Sequence, residues 1–147
     1  MDDHVKDVVR EMTRASEEER ISFPDVVEAL MQAGVERYHA DLLAGTKTYY
    51  MPDGSFETIP SRAFPAGNDF TGDIVQEAVH AIQQGEIGYR AFCERIAGAG
   101  CVGYFVSLAG KRAVYYGRTL AAHVEWFGPP PSSLPTPPGP PPSRRAP

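Results

Sequence analysis

The chain repeats itself at a separation of 66 residues, and this self-similarity restricts the possible folds more than any other feature. Residues 3–50 align with residues 69–116 without a gap. The two segments share 13 identities in 48 positions, against about three expected by chance for an internal comparison of this kind. Both segments also have an Ala-Gly pair, at Gly34 and Gly100, in the same relative place. The pattern predicts an internal duplication whose halves fold alike.

Each half begins with two segments whose apolar residues recur at helical spacing. In the first half, Val5, Val8 and Met12 lie on one side of a helix. Ser22 precedes the second helix as an N-cap residue, and the glycine of the Ala-Gly pair ends it in a left-handed conformation. The predicted helices span about residues 4–17, 23–33, 70–84 and 89–98.

After each Ala-Gly pair the apolar period changes from helical to the two-residue period of a strand. Tyr38 and Leu42 lie on one side of the first strand, and His39 and Asp41 on the other. A second strand follows a short turn in each half, a third is predicted at 55–59, and an edge strand at 123–127. The fold class is therefore α+β: internally duplicated helix-helix-strand-strand units, with helices packed on one face of a mostly antiparallel sheet.

Composition divides the chain into a body and a tail. Residues 128–147 contain 10 of the 14 prolines, so we expect an extended or disordered proline-rich tail. Residues 1–127 have the size of a single domain. This body carries 12 basic and 19 acidic side chains, a net charge of −7. The negative charge repels phosphates and so disfavours a nucleic-acid partner.

The sequence also gives expectations about the protein's location. No apolar run reaches the ~18 residues of a membrane span, and the acidic, amphipathic beginning does not resemble a secretory signal. Cys93 and Cys101 give no disulfide framework and are expected to be buried core residues. We therefore expect a cytoplasmic protein without a membrane partner.

Three segments of the body resemble a known family. They are ISFPDVVEALMQAGVERYHADLLAGTKTYYMPDG, GEIGYRAFCERIAGAGCVGYFVSLAGKRAVYYG and HVEWF. They resemble the phage-envelope-protein-like, or YdfO-like, family of bacteria and prophages, whose domain has no known function. The resemblance covers about residues 8–127 and leaves out the tail. It implies a small α+β fold of bacterial or prophage origin and no established activity.

Two His-x-carboxylate pairs are the first candidate for chemistry. His39 and Asp41 lie two residues apart on one strand, and His123 and Glu125 have the same spacing on the last. A histidine with a carboxylate can act as an acid/base pair or supply half of a metal site. The four side chains would converge if their strands were neighbours. The alternative, which the sequence favours, is two polar strand faces in water.

The tyrosine pairs are the second candidate. Tyr49 and Tyr50 place one aromatic side chain on each face of a strand, as do Tyr115 and Tyr116. With Phe105 they could form a patch for a ring-bearing ligand or a protein partner, the alternative being cross-strand pairing within the sheet. Nucleic-acid binding would instead require one basic patch, made of Arg37, Lys47, Lys111 and Arg112.

These observations favour a non-catalytic interaction or regulatory module with a protein partner or a homodimer through the open sheet face. The alternative is a small-ligand or metal-binding protein, with weak hydrolase activity as one form of it. No catalytic residue is assigned, and the sequence identifies neither a cofactor nor a metal. The candidate ligand-binding residues are His39, Asp41, Tyr49, Tyr50, His123 and Glu125.

Overall fold

Four helices and six strands follow one another in two similar series. A computed structural model describes residues 1–127, and the predicted disorder of residues 128–147 lies outside the described part. The elements are α1 (Asp3–Glu17), α2 (Phe23–Gln32), β1 (Arg37–Asp41), β2 (Thr46–Tyr50), β3 (Phe56–Pro60), α3 (Gly72–Gln83), α4 (Tyr89–Gly98), β4 (Cys101–Ser107), β5 (Arg112–Gly117) and β6 (Ala122–Trp126). The helix bounds agree with the predicted ones within two residues, and both additional strands are present.

The six strands form one antiparallel sheet in the order β3-β2-β1-β4-β5-β6. The alternation of side chains gives this sheet two different faces. One face packs against the helices and is called the helix face; its buried residues include Tyr38, Tyr49, Tyr104 and Tyr115. The other, called the open face, carries His39 and Phe105. The predicted α+β class with a mostly antiparallel sheet is confirmed.

Local sequence explains where the helices begin. The Asp2 carboxylate accepts a hydrogen bond of 2.9 Å from the Val5 N–H, so it caps α1. Ser22 accepts a hydrogen bond of 3.4 Å from the Asp25 N–H and so caps α2. Pro24 fits in the first turn of this helix because backbone N–H groups there have no partner within the helix. These caps fix the residues at which α1 and α2 begin.

The elements and their pairing recur at the same spacing as the sequence. Adding 66 to the bounds of α2 and β3 gives those of α4 and β6. The register of β1 with β2 recurs between β4 and β5 from Gly103 onwards, after a bulge, and the register of β2 with β3 recurs between β5 and β6. At the centre of the sheet, His39 lies opposite Phe105, the residue 66 positions further along.

A single core cluster draws residues from both series of elements, with Val9, Leu30, Val75 and Ile96 fully buried in it. Cys93 and Cys101 are also buried and free, as predicted. Burial raises the pKa of Cys93 to about 12 and that of Cys101 to about 11, so both thiols are neutral at ordinary pH. None of the helices within residues 1–127 has the length and apolar character needed to cross a membrane.

Candidate ligand-binding pocket

A pocket of about 670 Å³ lies between the helices and the helix face of the sheet. The strands provide its floor, and the helix ends and the two helix–helix turns provide its walls. The residues that line it are Ser16, Glu19, Ile21, Ser22, Phe23, Pro24, Val26, Tyr38, Lys47, Val79, Ile82, Gln83, Gly85, Ile87, Gly88, Tyr89, Phe92, Tyr104, Ala113, Tyr115, Glu125, Trp126 and Phe127.

The pocket exists because the two helix pairs turn at the same end of the sheet and leave a gap. Residues 18–22 connect α1 to α2 and residues 84–88 connect α3 to α4, and both turns contribute to the wall. Phe23 and Phe127 pack edge to face, with ring centroids 5.2 Å apart, so the end of the described chain contributes to the wall too. Both halves of the chain are therefore needed to build the pocket.

Lys47 is the most unusual residue of this pocket. Because it alternates with Thr46 and Thr48 along β2, its side chain points to the helix face, and the residue is only 4% exposed. The ammonium nitrogen lies 4.4 Å from the centroid of the Tyr89 ring, a cation–π contact. Within residues 1–127 it has no hydrogen-bond acceptor and no carboxylate within 4.0 Å. A buried lysine without a counter-ion is rare in proteins.

Burial disfavours the charged form of this lysine. It lowers the pKa of Lys47 from 10.5 to about 8, against smaller opposing effects of Cys93 and Glu17. The amine thus remains mostly protonated at pH 7. In the described part of the chain, every side-chain nitrogen or oxygen fully cut off from solvent has a hydrogen-bond partner. The Lys47 amine has none, so it must reach the space of the pocket.

Four tyrosines give the pocket further polar groups. The hydroxyls of Tyr89 and Tyr104 are 3.0 Å apart and hydrogen-bonded. Those of Tyr38 and Tyr115 have no hydrogen-bond partner within residues 1–127. Burial raises the pKa of all four hydroxyls, so they stay protonated and can donate. The pocket therefore combines an apolar wall with one cation and several O–H donors.

His39 and Asp41 lie on the open face, away from the pocket, and each has its own partner. His39 Nε2 is 2.6 Å from the Tyr116 hydroxyl, and its ring centroid is 4.3 Å from that of Phe105. Burial lowers the pKa of His39, with a smaller opposing effect of Asp41. Asp41 accepts hydrogen bonds from the backbone of residues 43–44, which explains its presence at the turn after β1.

His123 and Glu125 lie on the helix face of the edge strand β6, opposite Tyr115 and Ala113. They are hydrogen-bonded to each other at 2.9 Å, and Glu125 is also 3.7 Å from His80. Two strands separate β6 from β1, and the two His-carboxylate pairs point to opposite faces. The four side chains do not converge, so the condition for one shared site, the less favoured of the two interpretations, is not met. Glu125 alone of the four lines the pocket.

The two adjacent tyrosines have different roles. Tyr49 is buried, and its hydroxyl lies 2.9 Å from Thr13 Oγ1, which itself donates to the Val9 carbonyl. The Tyr49 hydroxyl therefore acts as the donor, and it ties β2 to α1. Tyr50 lies on the open face under the guanidinium of Arg37, which is 4.4 Å from its ring centroid. Tyr49 does not line the pocket.

Two other predicted arrangements can be compared with the structure. Within residues 1–127 there is no group of three or more His, Cys, Asp or Glu side chains that could hold a metal ion. The proposed basic patch does not form, because Lys47 points to the helix face whereas Arg37 and Arg112 lie on the open face. The role of Lys47 as a pocket residue was not predicted, although its position two residues before Tyr49 on one strand indicates that both side chains share a face of the sheet.

Comparison with known protein families gives a match over part of the chain. Residues 68–122 match the model of a protein family of unknown function, DUF1398. The matched stretch runs from just before α3 to the start of β6, so it includes part of the pocket wall but not Lys47. No curated protein matches the chain. The phage-envelope-like label, the prophage origin and the cytoplasmic location stay predictions.

Proposed function

We propose that this protein binds a small, largely apolar molecule in the pocket between its helices and its sheet. The observation that carries the proposal is a sizeable open pocket that contains a buried lysine with no ion-pair partner within residues 1–127. Ligand pockets of proteins typically measure about 300–1,000 Å³ and combine apolar walls with a few polar groups. The present pocket, at about 670 Å³, has this size and composition. Small-ligand binding is the alternative function that the sequence indicated, but the polar group at the centre of the site is now Lys47 and not the His-carboxylate pairs.

Filling the pocket from its floor is expected to weaken binding of a neutral apolar probe. Ala113 lies on β5, lines the pocket and is buried. Ala113→Leu adds three carbon atoms there, so we expect the affinity for N-phenyl-1-naphthylamine to fall at least about tenfold, as the loss of several buried apolar contacts implies. The increase in probe fluorescence on titration measures this affinity.

Ala122→Leu is the matched control. It adds the same three carbons, but Ala122 is exposed and pairs with Tyr116 on the open face. Its probe affinity should equal that of the wild type. Equal losses in both variants, or no probe binding by the wild-type protein, would count against the pocket as a binding site. Circular dichroism would show whether Ala113→Leu is folded.

A second candidate function is the interaction module, for which the open face provides the supporting observation. Phe56, Phe105, Val124 and Trp126 are large apolar side chains at 41–60% exposure, and all four lie on this face. Large apolar residues exposed on one face of a sheet can mark an interface. A second copy of the chain is the simplest occupant, because a self-complementary surface closes into a dimer.

Phe105→Lys should then convert a dimer into a monomer in sedimentation velocity at about 100 μM, a concentration that populates even modest interfaces. Phe105 lies on a central strand, so the lysines introduced in the two copies would face each other across the two-fold axis and repel. Met31→Lys, on the exposed side of α2, should leave the dimer intact. A wild-type protein that sediments as a monomer would refute this second candidate.

We also infer that the two halves arose by duplication and form a single domain over residues 1–127. The matched bounds of α2 with α4 and of β3 with β6 support the duplication, as do the recurring registers. The core cluster shared by both halves supports the single domain. Divergence between duplicated halves accounts for a lysine at position 47 where the second half has Ala113.

A further inference from the structure

We propose that the ligand is an organic monoanion, a carboxylate with an aromatic or aliphatic body, whose acidic group binds Lys47. This inference rests on the proposed function and specifies the chemical class of the molecule. It depends on three features of the pocket: a cation without a counter-ion among residues 1–127, neutral hydroxyl donors in the same lining, and acidic side chains elsewhere in it.

The first feature is the missing counter-ion of Lys47. Glu17, whose charge acts on Lys47, already accepts a hydrogen bond of 2.7 Å from the Arg62 N–H, and Glu125 in the pocket lining is bonded to His123. Removing an unpaired charge from water costs roughly several kcal/mol, so folded proteins normally give a buried charge an opposite partner. A bound anion would supply the counter-ion that residues 1–127 do not provide for Lys47.

The second feature is a set of donors suited to carboxylate oxygens. Tyr38 and Tyr115 have hydroxyls without a partner in the described part of the chain, and they line the same pocket as Lys47. The hydrogen-bonded pair of Tyr89 and Tyr104 uses one hydroxyl hydrogen and leaves the other available. Hydrogen bonds from such groups to an ionised oxygen are about twice as strong as those between neutral groups.

The third feature limits the charge and the body of the ligand. Glu19 and Glu125 also line the pocket, and a second negative charge on the ligand would approach them without another buried lysine to compensate. A single carboxylate therefore fits better than a polyphosphate. The apolar lining, with Ile82, Ile87 and Phe92, suits a hydrocarbon or aromatic body.

Matched competitors test this assignment. We would displace N-phenyl-1-naphthylamine, which is neutral, with 4-phenylbutyrate or with 4-phenylbutan-1-ol, which differ mainly in the acidic group. On the wild-type protein the acid should compete at least about tenfold better than the alcohol, as one buried charge pair implies. Lys47→Met should remove this preference, so that the acid and the alcohol compete about equally. Lys6→Met, outside the pocket lining, should behave like the wild type.

The preference should also decline as pH rises above about 8, because Lys47 then loses its charge. Glu17 on α1 and Cys93 and Tyr89 on α4 face this amine; burial keeps the thiol and the phenol neutral over that range, since it raises the pKa of each.

Two results would overturn the inference. One is equal competition by acid and alcohol; the other is an acid preference that survives Lys47→Met. In both cases the neutral probe still binds, so the proposed function would stand and only the anionic class would fail. Absence of probe binding to the wild type would refute the proposed function itself.

Discussion

Lys47→Met is expected to make the protein more stable at pH 7, by about 1–3 kcal/mol, since each unit of pKa shift corresponds to about 1.4 kcal/mol. The upper limit follows from the depression of the Lys47 pKa from 10.5 to about 8 on folding. Methionine keeps an unbranched side chain of similar length, so the packing is retained while the buried charge is removed. Urea denaturation at pH 7 measures the gain.

The pH dependence gives this prediction a second signature. Between pH 8 and 10.5 the unfolded Lys47 binds a proton that the folded one has lost, so the wild-type protein should become more stable as pH rises through this window. Below pH 8 the charge is present in both states and the full penalty applies. In Lys47→Met this contribution to the pH dependence should be absent.

Lys6→Met serves as the control, because a partly exposed lysine on α1 should change stability by no more than about 0.5 kcal/mol. A clear loss of stability in Lys47→Met at pH 7 would contradict the idea that the lysine is uncompensated. The expected combination, a gain in stability with a loss of acid binding, is the usual relation between a strained binding site and its fold.

Most of the fold could be predicted from local signals. The cap at Ser22 and the glycines at positions 34 and 100 mark helix ends, and their recurrence at 66 residues makes each half support the prediction for the other. Alternation assigned the strand faces correctly for Tyr38 and His39. These signals suffice because helix ends and strand parity depend on neighbours in sequence.

The candidate site could not be predicted in the same way, because strand order is not local. The parity of His39 and of His123 within their own strands was clear from the sequence, but β4 and β5 separate those strands and the pairing register turns His123 to the helix face. The pocket arises where two distant helix–helix turns leave a gap, and no sequence pattern records that gap. The parity of Lys47 with Tyr49 places this lysine on the helix face but does not indicate a pocket there.

Gly100→Ala is expected to destabilise the protein far more than the corresponding change in the other half, Gly34→Ala. Both glycines end a helix with positive φ, +90° and +84° respectively, a conformation that costs an alanine about 1–2 kcal/mol. They differ in what a Cβ would meet. At Gly34 the nearest atom is the methyl of Met51 at 3.6 Å, an ordinary contact.

At Gly100 a Cβ would overlap the carbonyl of Asp69 and the Cα of Phe70, both backbone atoms of the segment that leads into α3. That segment cannot move aside easily, because the Thr71 N–H donates a hydrogen bond of 2.8 Å to the Ala99 carbonyl and the Gly67 N–H one of 2.9 Å to that of Ala97. We expect a total cost of about 2–5 kcal/mol, the strain of the left-handed conformation plus that of overpacking.

Urea denaturation of the two variants side by side measures the difference directly. If the two variants lose unfolding free energy to within about 0.5 kcal/mol of one another, the segment before α3 must yield to the added methyl group. The larger loss in Gly100→Ala would instead show that this segment is fixed to the end of α4. In that case the two halves, although matched in register, are not equivalent in stability, because residues 67–71 pack against the end of α4 whereas the methyl of Met51 is the nearest atom to a Cβ at Gly34.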